Sequence, residues 1–342
     1  MELIVECKDQ KSLSEICEIK YSLPEFNFFV VDAGNKEIKR LKSCRFVKSF
    51  FENSTLTQRI YDSRKVVNVD GNDNLGYTGK NVTVAVLDTG ITPLADFTYP
   101  RNRILRFADF MSGGTRPYDS NGHGTHVSGI ICGNGFMSNG KYRGIAPDAS
   151  IVSVKVLDEN GQGNSIYTLS GIQWVINNAK KLNIGVMNLS IGTTDDSVNM
   201  PLLKAMESAV DNGITVVCAS SSSRFYNKRA IEISKKIISV GIFEDNIINR
   251  RQNYDLTAPG IEIISLISPS FRKEAQRRNK RIISKGYVKM SGTSMATPMV
   301  TGAVCLMLQK NPYLTPIEIK RVLLKTAGRN SLLNINEALK NI

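Results

Sequence analysis

Short apolar runs rich in β-branched residues recur between residues 82 and 243, and stretches with helical periodicity separate them. Runs that are apolar at nearly every position predict strands buried on both faces of a parallel sheet. The runs are VTVAVLD (82–88), SIVSVKVL (150–157), IGVMNLS (184–190), GITVVCAS (213–220) and IISVGIF (237–243). The helical stretches include IYTLSGIQWVINNAKK and NMPLLKAMESAVDNG. This alternation predicts an α/β domain with a mostly parallel sheet, whose site is expected at the carboxyl ends of the strands.

The first 65 residues have a different texture and predict a small separate α+β unit. LIVEC and NFFVVDAG read as strands, whereas SLSEICEIKYS and CRFVKSFFE are compatible with helices or with further strands. The polar run ENSTLTQRIYDSRK (52–65) has no periodicity, as is typical of a linker or an accessible processing site. We therefore expect residues 1–65 to form an N-terminal unit with its linker, and residues 66–342 to form the main domain.

The composition is that of a globular protein, with 42% hydrophobic and 22% charged residues in 342 residues. It excludes collagen-like, wholly disordered and disulfide-scaffold chains. The apolar runs fall short of the ~20 residues that a membrane span needs. MELIVECKDQ at the N-terminus lacks a basic segment followed by an apolar one, so no signal peptide is predicted. These features predict a soluble, cytoplasmic protein that does not bind membranes and keeps its six cysteines reduced, without a metal site.

The net charge of +13 is unevenly distributed. Residues 272–289 contain eight basic side chains and a single acid, Glu274. An exposed loop is the simplest interpretation of this stretch, and attraction of acidic peptides or of a protein partner is the alternative. Nucleic acid is not a predicted partner, because no recognition element accompanies the charge.

The candidate chemistry centres on three residues that lie far apart in the chain. The two histidines of the sequence, His123 and His126, both lie in NGHGTHVSGII. Asp88 ends the strand VAVLD, and Ser294 begins a long apolar helix in MSGTSMATPMVTGAVCLML. A serine hydroxyl becomes nucleophilic when an imidazole takes its proton, and a buried carboxylate orients that imidazole. Taken singly, each residue is more often a turn or helix-cap residue than a catalytic one, because such residues are common at the ends of helices and strands.

VAVLDTGI, DSNGHGTHVSGIICG and SGTSMATPMVTGA, in this order, resemble the three catalytic blocks of the subtilases, the subtilisin-like serine proteases. The resemblance extends from about Val67 to the end of the chain and is strongest to the intracellular AprX-type branch. It implies a subtilisin-like three-layer fold, preceded by a propeptide-like unit. It further implies that Ser294 is the nucleophile of a serine endopeptidase, His123 its general base and Asp88 the residue that orients His123, with His126 in a structural role.

The same resemblance implies how a peptide or protein substrate binds. Ser190, Ile191 and Gly192 resemble one wall of the primary specificity pocket, and Gly161, Gln162 and Gly163 resemble the opposite wall. An extended peptide would bind between them by β-augmentation. No cofactor is predicted, although structural calcium is common in the family; Asp158, Glu159, Asp195 and Asp196 are loop candidates without a diagnostic spacing. The N-terminal unit would cover the cleft as an inhibitor and then be cut within the polar run around Ser54 to Lys65, with self-processing as one route.

One departure from the family leaves a second interpretation open. The asparagine that normally contributes to the oxyanion hole is absent, and Ser222 in GITVVCASSSSR stands at the aligned position. Loss of this donor lowers turnover. An active endopeptidase is the first hypothesis. The alternative is a catalytically impaired subtilase-like pseudoprotease that binds peptides or regulates a true protease.

Overall fold

The computed structural model describes residues 2–23, 27–52, 63–69, 76–191, 199–220, 234–243, 254–271, 282–284 and 286–342. The chain divides into two compact units. The described parts of the smaller unit lie within residues 2–52, and the described residues from 63 onward belong to the larger unit.

The smaller unit is an antiparallel sheet with two helices. Its elements are β1 (Glu2–Cys7), α1 (Gln10–Ser14), β2 (Glu18–Leu23), β3 (Phe28–Asp32), α2 (Asn35–Ser43) and β4 (Val47–Glu52). The strand order is β2-β3-β1-β4, and every pair is antiparallel. Leu3 and Val5 alternate with more exposed residues along β1, so one face of the sheet forms a core with Leu13 and Leu41 of the helices. SLSEICEIKYS is thus a short helix followed by a strand, and CRFVKSFFE contains β4.

The larger unit alternates strands and helices for most of its length. Its strands are β5 (Thr83–Asp88), β6 (Ile104–Asp109), β7 (Ser150–Lys155), β8 (Ile184–Leu189), β9 (Thr215–Ala219), β10 (Ile238–Ile242), β11 (Leu256–Ala258), β12 (Ile263–Leu266), β13 (Ile282–Ser284) and β14 (Tyr287–Met290). Its helices are α3 (Ser63–Val66), α4 (Ala95–Thr98), α5 (His123–Cys132), α6 (Ser165–Leu182), α7 (Asn199–Asp211), α8 (Thr293–Lys310), α9 (Pro316–Thr326) and α10 (Ile335–Lys340).

A parallel sheet of seven described strands forms the centre of this unit, in the order β11-β10-β9-β8-β5-β7-β6. Both of its faces are covered. Along β5, Val84 and Val86 point into a core that includes α5 and α8, whereas Ala85 and Leu87 point into a second core with α6 and α7. Burial on alternate faces explains why the strand is apolar at successive positions. The predicted three-layer α/β architecture is confirmed.

Helix α8 is deeply enclosed, since its residues from Met295 to Met307 are all buried. Its N-cap is Gly292, whose φ of 151° lies in a region that favours glycine. The backbone N–H of Gly292 donates to the carbonyl of Gly260 at 2.7 Å. The start of this helix, where Ser294 lies, is therefore fixed by packing along its length and by a hydrogen bond at its cap.

Two features of the larger unit were not predicted. Strand β6 forms an edge of the parallel sheet, and β12, β14 and β13 form a separate antiparallel sheet in that order. In β6, Leu105 and Arg106 are exposed, so the strand lacks the continuous apolar pattern of its neighbours.

Among the helices in the described ranges, none combines the length and apolar character that crossing a bilayer requires.

Candidate active site

Asp88 is the last residue of β5, a strand that lies between β7 and β8 in the parallel sheet. Its side chain is 1% exposed. Asp88 Oδ1 accepts the backbone N–H of Thr89 at 2.7 Å and lies 2.7 Å from Nδ1 of His123. A buried carboxylate is therefore present at the carboxyl end of a central strand, in direct contact with an imidazole.

His123 is the first residue of α5, and its side chain is 26% exposed. Because a carboxylate only accepts hydrogen bonds, the proton of the neutral imidazole lies on Nδ1 and donates to Asp88. Nε2, on the opposite side of the ring, is then the nitrogen that can accept a proton. The pairing sets both the tautomer and the orientation that a general base needs.

Ser294 is the second residue of α8 and makes reciprocal hydrogen bonds with Ser190. Its Oγ donates to the carbonyl of Ser190 at 3.0 Å, and Ser190 Oγ donates to the carbonyl of Ser294 at 3.2 Å. Asn188, which is fully buried, donates to Ser190 Oγ at 3.0 Å and accepts the hydroxyl of Thr301 at 2.7 Å. The nucleophile candidate is thus tied to the end of β8.

These contacts bring the three predicted residues to one edge of the sheet. Strands β5 and β8 are parallel neighbours, with Leu87 opposite Leu189. Asp88 and Ser190 are the next residues along these two strands, so they lie at the same level of the sheet. Helices α5 and α8 pack on the same face of the sheet. The imidazole on α5 and the hydroxyl on α8 therefore share the carboxyl edge with Asp88.

His126, by contrast, is fully buried, and its Nε2 lies 3.3 Å from the carbonyl of Val288.

The two segments predicted as peptide-binding walls have different structures. Ser190 and Ile191 follow β8 directly, whereas Gly192 lies outside the described residues. Gly161, Gln162 and Gly163 are exposed and form a tight turn beyond β7. The carboxylate of Asp158 accepts two backbone N–H groups of this turn, that of Gln162 at 2.8 Å among them.

Glycine is required in this turn by conformation and by space. Gly161 has a φ of 76°, which favours glycine. At Gly163, a Cβ atom would lie 2.3 Å from the carbonyl oxygen of Val156. The two glycines are therefore explained by the local structure, whether or not a peptide binds beside them.

The predicted oxyanion residue and two of the four calcium candidates lie outside the described residues. They are Ser222 for the oxyanion hole, and Asp195 and Asp196 for calcium. In the described ranges no three His, Cys, Asp or Glu side chains are grouped closely enough to hold a metal ion. Of the remaining calcium candidates, Asp158 already binds backbone N–H groups of its own turn. The described carboxylates therefore provide no grouped ligand set for a calcium ion.

Sequence reasoning missed several polar residues that hold the site together. Asn188 and Thr301 are one pair, and Thr89, Asp119 and Asn121 form a group around the start of α5. Asp119 and Asn121 precede the helix start by a few residues, which is the signal of helix capping that could have indicated them. Thr89 and Thr301 carry no such local signal, because their partners lie in distant parts of the chain.

A buried carboxylate paired with an imidazole, together with a serine at a helix start near the same edge of a parallel sheet, is the set of groups that Ser-His-Asp hydrolases use. The chain belongs, more specifically, to the subtilase family of serine endopeptidases. Residues 79–338 match the Subtilase family (Peptidase_S8). The chain spans 61% of the length of the serine protease AprX of Bacillus subtilis (strain 168), with 38% identity over 274 residues, or 72% of this chain.

Two further proteins support this assignment. The major intracellular serine protease of Bacillus subtilis (strain 168) is 36% identical over 249 residues, which cover 68% of this chain and 69% of that protein. A crystal structure of a cold adapted subtilisin-like serine proteinase aligns with a TM-score of 0.61 and 29% identity, covering 76% of this chain and 90% of the other. The subtilisin-like fold predicted from the sequence blocks is confirmed.

Proposed function

We propose that this chain is a serine endopeptidase that hydrolyses peptide bonds with Ser294 as nucleophile, His123 as general base and Asp88 as the residue that orients the imidazole. The observation that carries the proposal is the 2.7 Å contact between Asp88 Oδ1 and His123 Nδ1 at the sheet edge where Ser294 begins α8. Membership of the subtilase family supports the same reaction.

The geometry supports a two-step reaction through an acyl-enzyme. His123 Nε2 takes the proton of Ser294 Oγ as this oxygen forms a bond to the peptide carbonyl carbon, and Asp88 stabilises the imidazolium. The carbonyl oxygen becomes an oxyanion that the backbone N–H of Ser294, in the first turn of α8, is positioned to stabilise. His123 then gives its proton to the leaving amine as the C–N bond breaks. In the second step His123 deprotonates a water as its oxygen attacks the ester carbonyl carbon. The imidazolium returns this proton to Ser294 Oγ as the ester C–O bond breaks, which releases the carboxylic acid and regenerates both residues.

For the substrate we propose an extended peptide between Ser190–Ile191–Gly192 and the turn containing Gly161, Gln162 and Gly163. The carbonyl of Ser190 already accepts a hydrogen bond from Ser294, so it faces the reacting centre. Because the asparagine of the family is absent, we propose that Ser222 supplies the side-chain donor of the oxyanion hole, directly or through water.

We further propose that residues 1–65 act as a cleft inhibitor of the domain formed by residues 66–342 and are then removed by self-processing. The described part of the smaller unit has its own sheet and its own core, as expected for a segment that folds as a body and is later discarded. An intracellular location is part of the same proposal, supported by similarity to a relative named as an intracellular protease. The pseudoprotease alternative is not favoured, because the relatives that match are named as proteases.

Incubation of the purified full chain with an unfolded protein substrate tests the proposed activity. The wild-type chain is expected to release peptides and to lose an N-terminal fragment that ends between about Ser54 and Lys65, and Ser294→Ala is expected to do neither. Intact-mass spectrometry follows self-processing, and fluorescence of a labelled casein follows hydrolysis. Equal masses of the two chains after long incubation would remove self-processing, and equal casein fluorescence would remove the endopeptidase assignment.

A further inference from the structure

The helix that begins with His123 is capped by three residues outside the proposed triad. The first N–H groups of a helix have no partner within it. Here the N-cap is Gly122, which has no side chain to offer. Instead, Asn121 Oδ1 accepts the N–H of His123 at 3.1 Å, and Thr89 Oγ1 accepts the N–H of Gly124 at 2.9 Å. Asp119 Oδ2 accepts the N–H of Thr125 at 2.9 Å, so the first turn is held from several directions.

The contact of Thr89 duplicates the link between Asp88 and His123. Thr89 follows Asp88 in the chain, and Gly124 follows His123. The two dipeptides are therefore joined twice, once by the carboxylate and imidazole at 2.7 Å and once by the hydroxyl and backbone N–H at 2.9 Å. Their approach is close, because a Cβ atom on Gly124 would lie 2.2 Å from the carbonyl oxygen of Gly90. Two bonds fix the imidazole relative to its carboxylate more narrowly than one can.

Asp119 sets the direction of the Thr89 hydroxyl. Its carboxylate is in a residue that is 3% exposed, and Thr89 Oγ1 donates to Asp119 Oδ1 at 2.9 Å. Because a carboxylate only accepts, the hydroxyl proton points to Asp119 and a lone pair remains for the N–H of Gly124. The same carboxylate accepts four more hydrogen bonds, from the backbone of Asn121, Gly122 and Thr125 and from the hydroxyl of Thr125. It thereby anchors the loop before His123.

We propose that Thr89 and Asp119 are positioning residues of the reaction: Asp119 orients the Thr89 hydroxyl, and this hydroxyl holds the backbone at His123 in register with Asp88. The proposal rests on the proposed role of His123 as general base. Displacement of a reacting group by about 1 Å lowers turnover by roughly a hundredfold. Removal of the hydroxyl is therefore expected to reduce kcat and to leave substrate binding nearly unchanged.

A kinetic comparison of three variants tests this role. Thr89→Val removes the hydroxyl and keeps the shape, whereas Thr89→Ser keeps the hydroxyl. Thr215→Val is the matched control, because Thr215 is a 1% exposed strand threonine whose hydroxyl has no hydrogen-bond partner among the described residues. We expect Thr89→Val to lower kcat roughly ten- to hundredfold with KM within about twofold, Thr89→Ser to recover most of kcat, and Thr215→Val to match the wild type. A Thr89→Val variant with wild-type kcat, or a serine variant as impaired as the valine variant, overturns the proposal.

A spectroscopic measurement gives a second test that needs no turnover. The chain has two histidines, so imidazole resonances of ¹⁵N-histidine-labelled protein are readily assigned. In a Ser294→Ala background, the Nδ1 proton of His123 in its bond to Asp88 should give a downfield signal. We expect Thr89→Val and Asp119→Asn to broaden it by solvent exchange, and Thr89→Ser and Thr215→Val to retain it. An unchanged signal in Thr89→Val contradicts the proposal.

The two tests separate this proposal from the proposed function. If the wild-type chain hydrolyses no peptide while the imidazole signal responds to Thr89→Val as expected, the endopeptidase assignment fails and the positioning geometry stands. If neither Thr89→Val nor Asp119→Asn folds while Thr215→Val does, the two residues serve folding only. The positioning role is then overturned.

Discussion

Replacement of Lys155 by methionine should destabilise the larger unit, because this cation is buried and bonded to two backbone carbonyls. Lys155 ends β7 and is 3% exposed. Its Nζ donates to the carbonyls of Thr89 and Leu157 at 2.7 and 2.6 Å, and it lies 5.2 Å from the ring centroid of Tyr118. It therefore links the segment after Asp88 to the end of its own strand. Methionine has a similar length and no charge.

The magnitude follows from the groups that are left behind. Each hydrogen bond to a charged group contributes about 1.5–3 kcal/mol, and a carbonyl buried without a partner costs about 1–3 kcal/mol. The contact with the aromatic ring adds on the order of 1 kcal/mol. Relief from burying the ammonium offsets part of this loss. The variant leaves two unpaired carbonyls but no unpaired buried charge, so the loss stays moderate. We expect Lys155→Met to lower the free energy of unfolding by about 2–4 kcal/mol.

Urea unfolding followed by tryptophan fluorescence measures this effect in the larger unit alone, since the sequence has a single tryptophan, Trp174 in α6. A Ser294→Ala background removes the proposed nucleophile and with it any self-cleavage that this residue would catalyse during the titration. Lys180→Met is the matched control, because Lys180 is exposed on the same helix as the tryptophan and should leave the urea midpoint unchanged. A loss below about 0.5 kcal/mol in Lys155→Met, which is typical of surface substitutions, would refute the reasoning.

Three further outcomes are expected. Burial raises the pKa of the Cys132 thiol to about 12, so its thiolate fraction at about pH 8 is about 10⁻⁴. Iodoacetamide should therefore label the half-buried Cys44 far faster than Cys132. Comparable labelling rates of the two thiols in the native chain would contradict this. Gly124→Ala would force a Cβ atom to within 2.2 Å of the Gly90 carbonyl oxygen and should lower stability in the urea titration by about 1–3 kcal/mol, whereas wild-type stability would argue against the close approach. Burial raises the pKa of Asp109, but hydrogen bonds from two hydroxyls and two backbone N–H groups outweigh it and lower the pKa below the ordinary 3.8. At pH values above the ordinary pKa of 3.8, the wild type should therefore be more stable than Asp109→Asn. This difference should disappear as the pH falls through the lower pKa of Asp109 in the folded protein. Urea midpoints of the two proteins that differ by the same amount at every pH would contradict the prediction.

The sequence predicted the elements whose burial leaves a pattern in the chain. Strands β5, β7, β8, β9 and β10 are buried on both faces, and each was visible as an apolar run. Strand β6 was missed because it lies at the sheet edge, where Leu105 and Arg106 are exposed. Lys155 interrupts an apolar run, and its burial was not predictable from the strand, because the carbonyl of Thr89 that it binds belongs to another strand end.

The candidate site was predictable where one residue type carries the chemistry. Asp88 at a strand end, one of two histidines and Ser294 at a helix start are local signals, strengthened by their order in the chain. The residues around them were not visible in the same way. Thr89 bonds to Asp119 across 30 positions, and this pairing exists only after the chain has folded. The specificity walls and the oxyanion residue Ser222 remain predictions.

Labelling by a fluorophosphonate probe tests the central claim most directly, because the reaction requires a serine hydroxyl activated by its neighbours. The incubated full chain is treated with the probe, digested and mapped by mass spectrometry, with Ser294→Ala and His123→Ala treated in parallel. We predict one adduct in the wild-type chain, on the peptide that contains Ser294, and none in either variant. A folded wild-type chain without an adduct, or an adduct of equal yield in His123→Ala, would contradict a nucleophile activated by the Asp88–His123 pair.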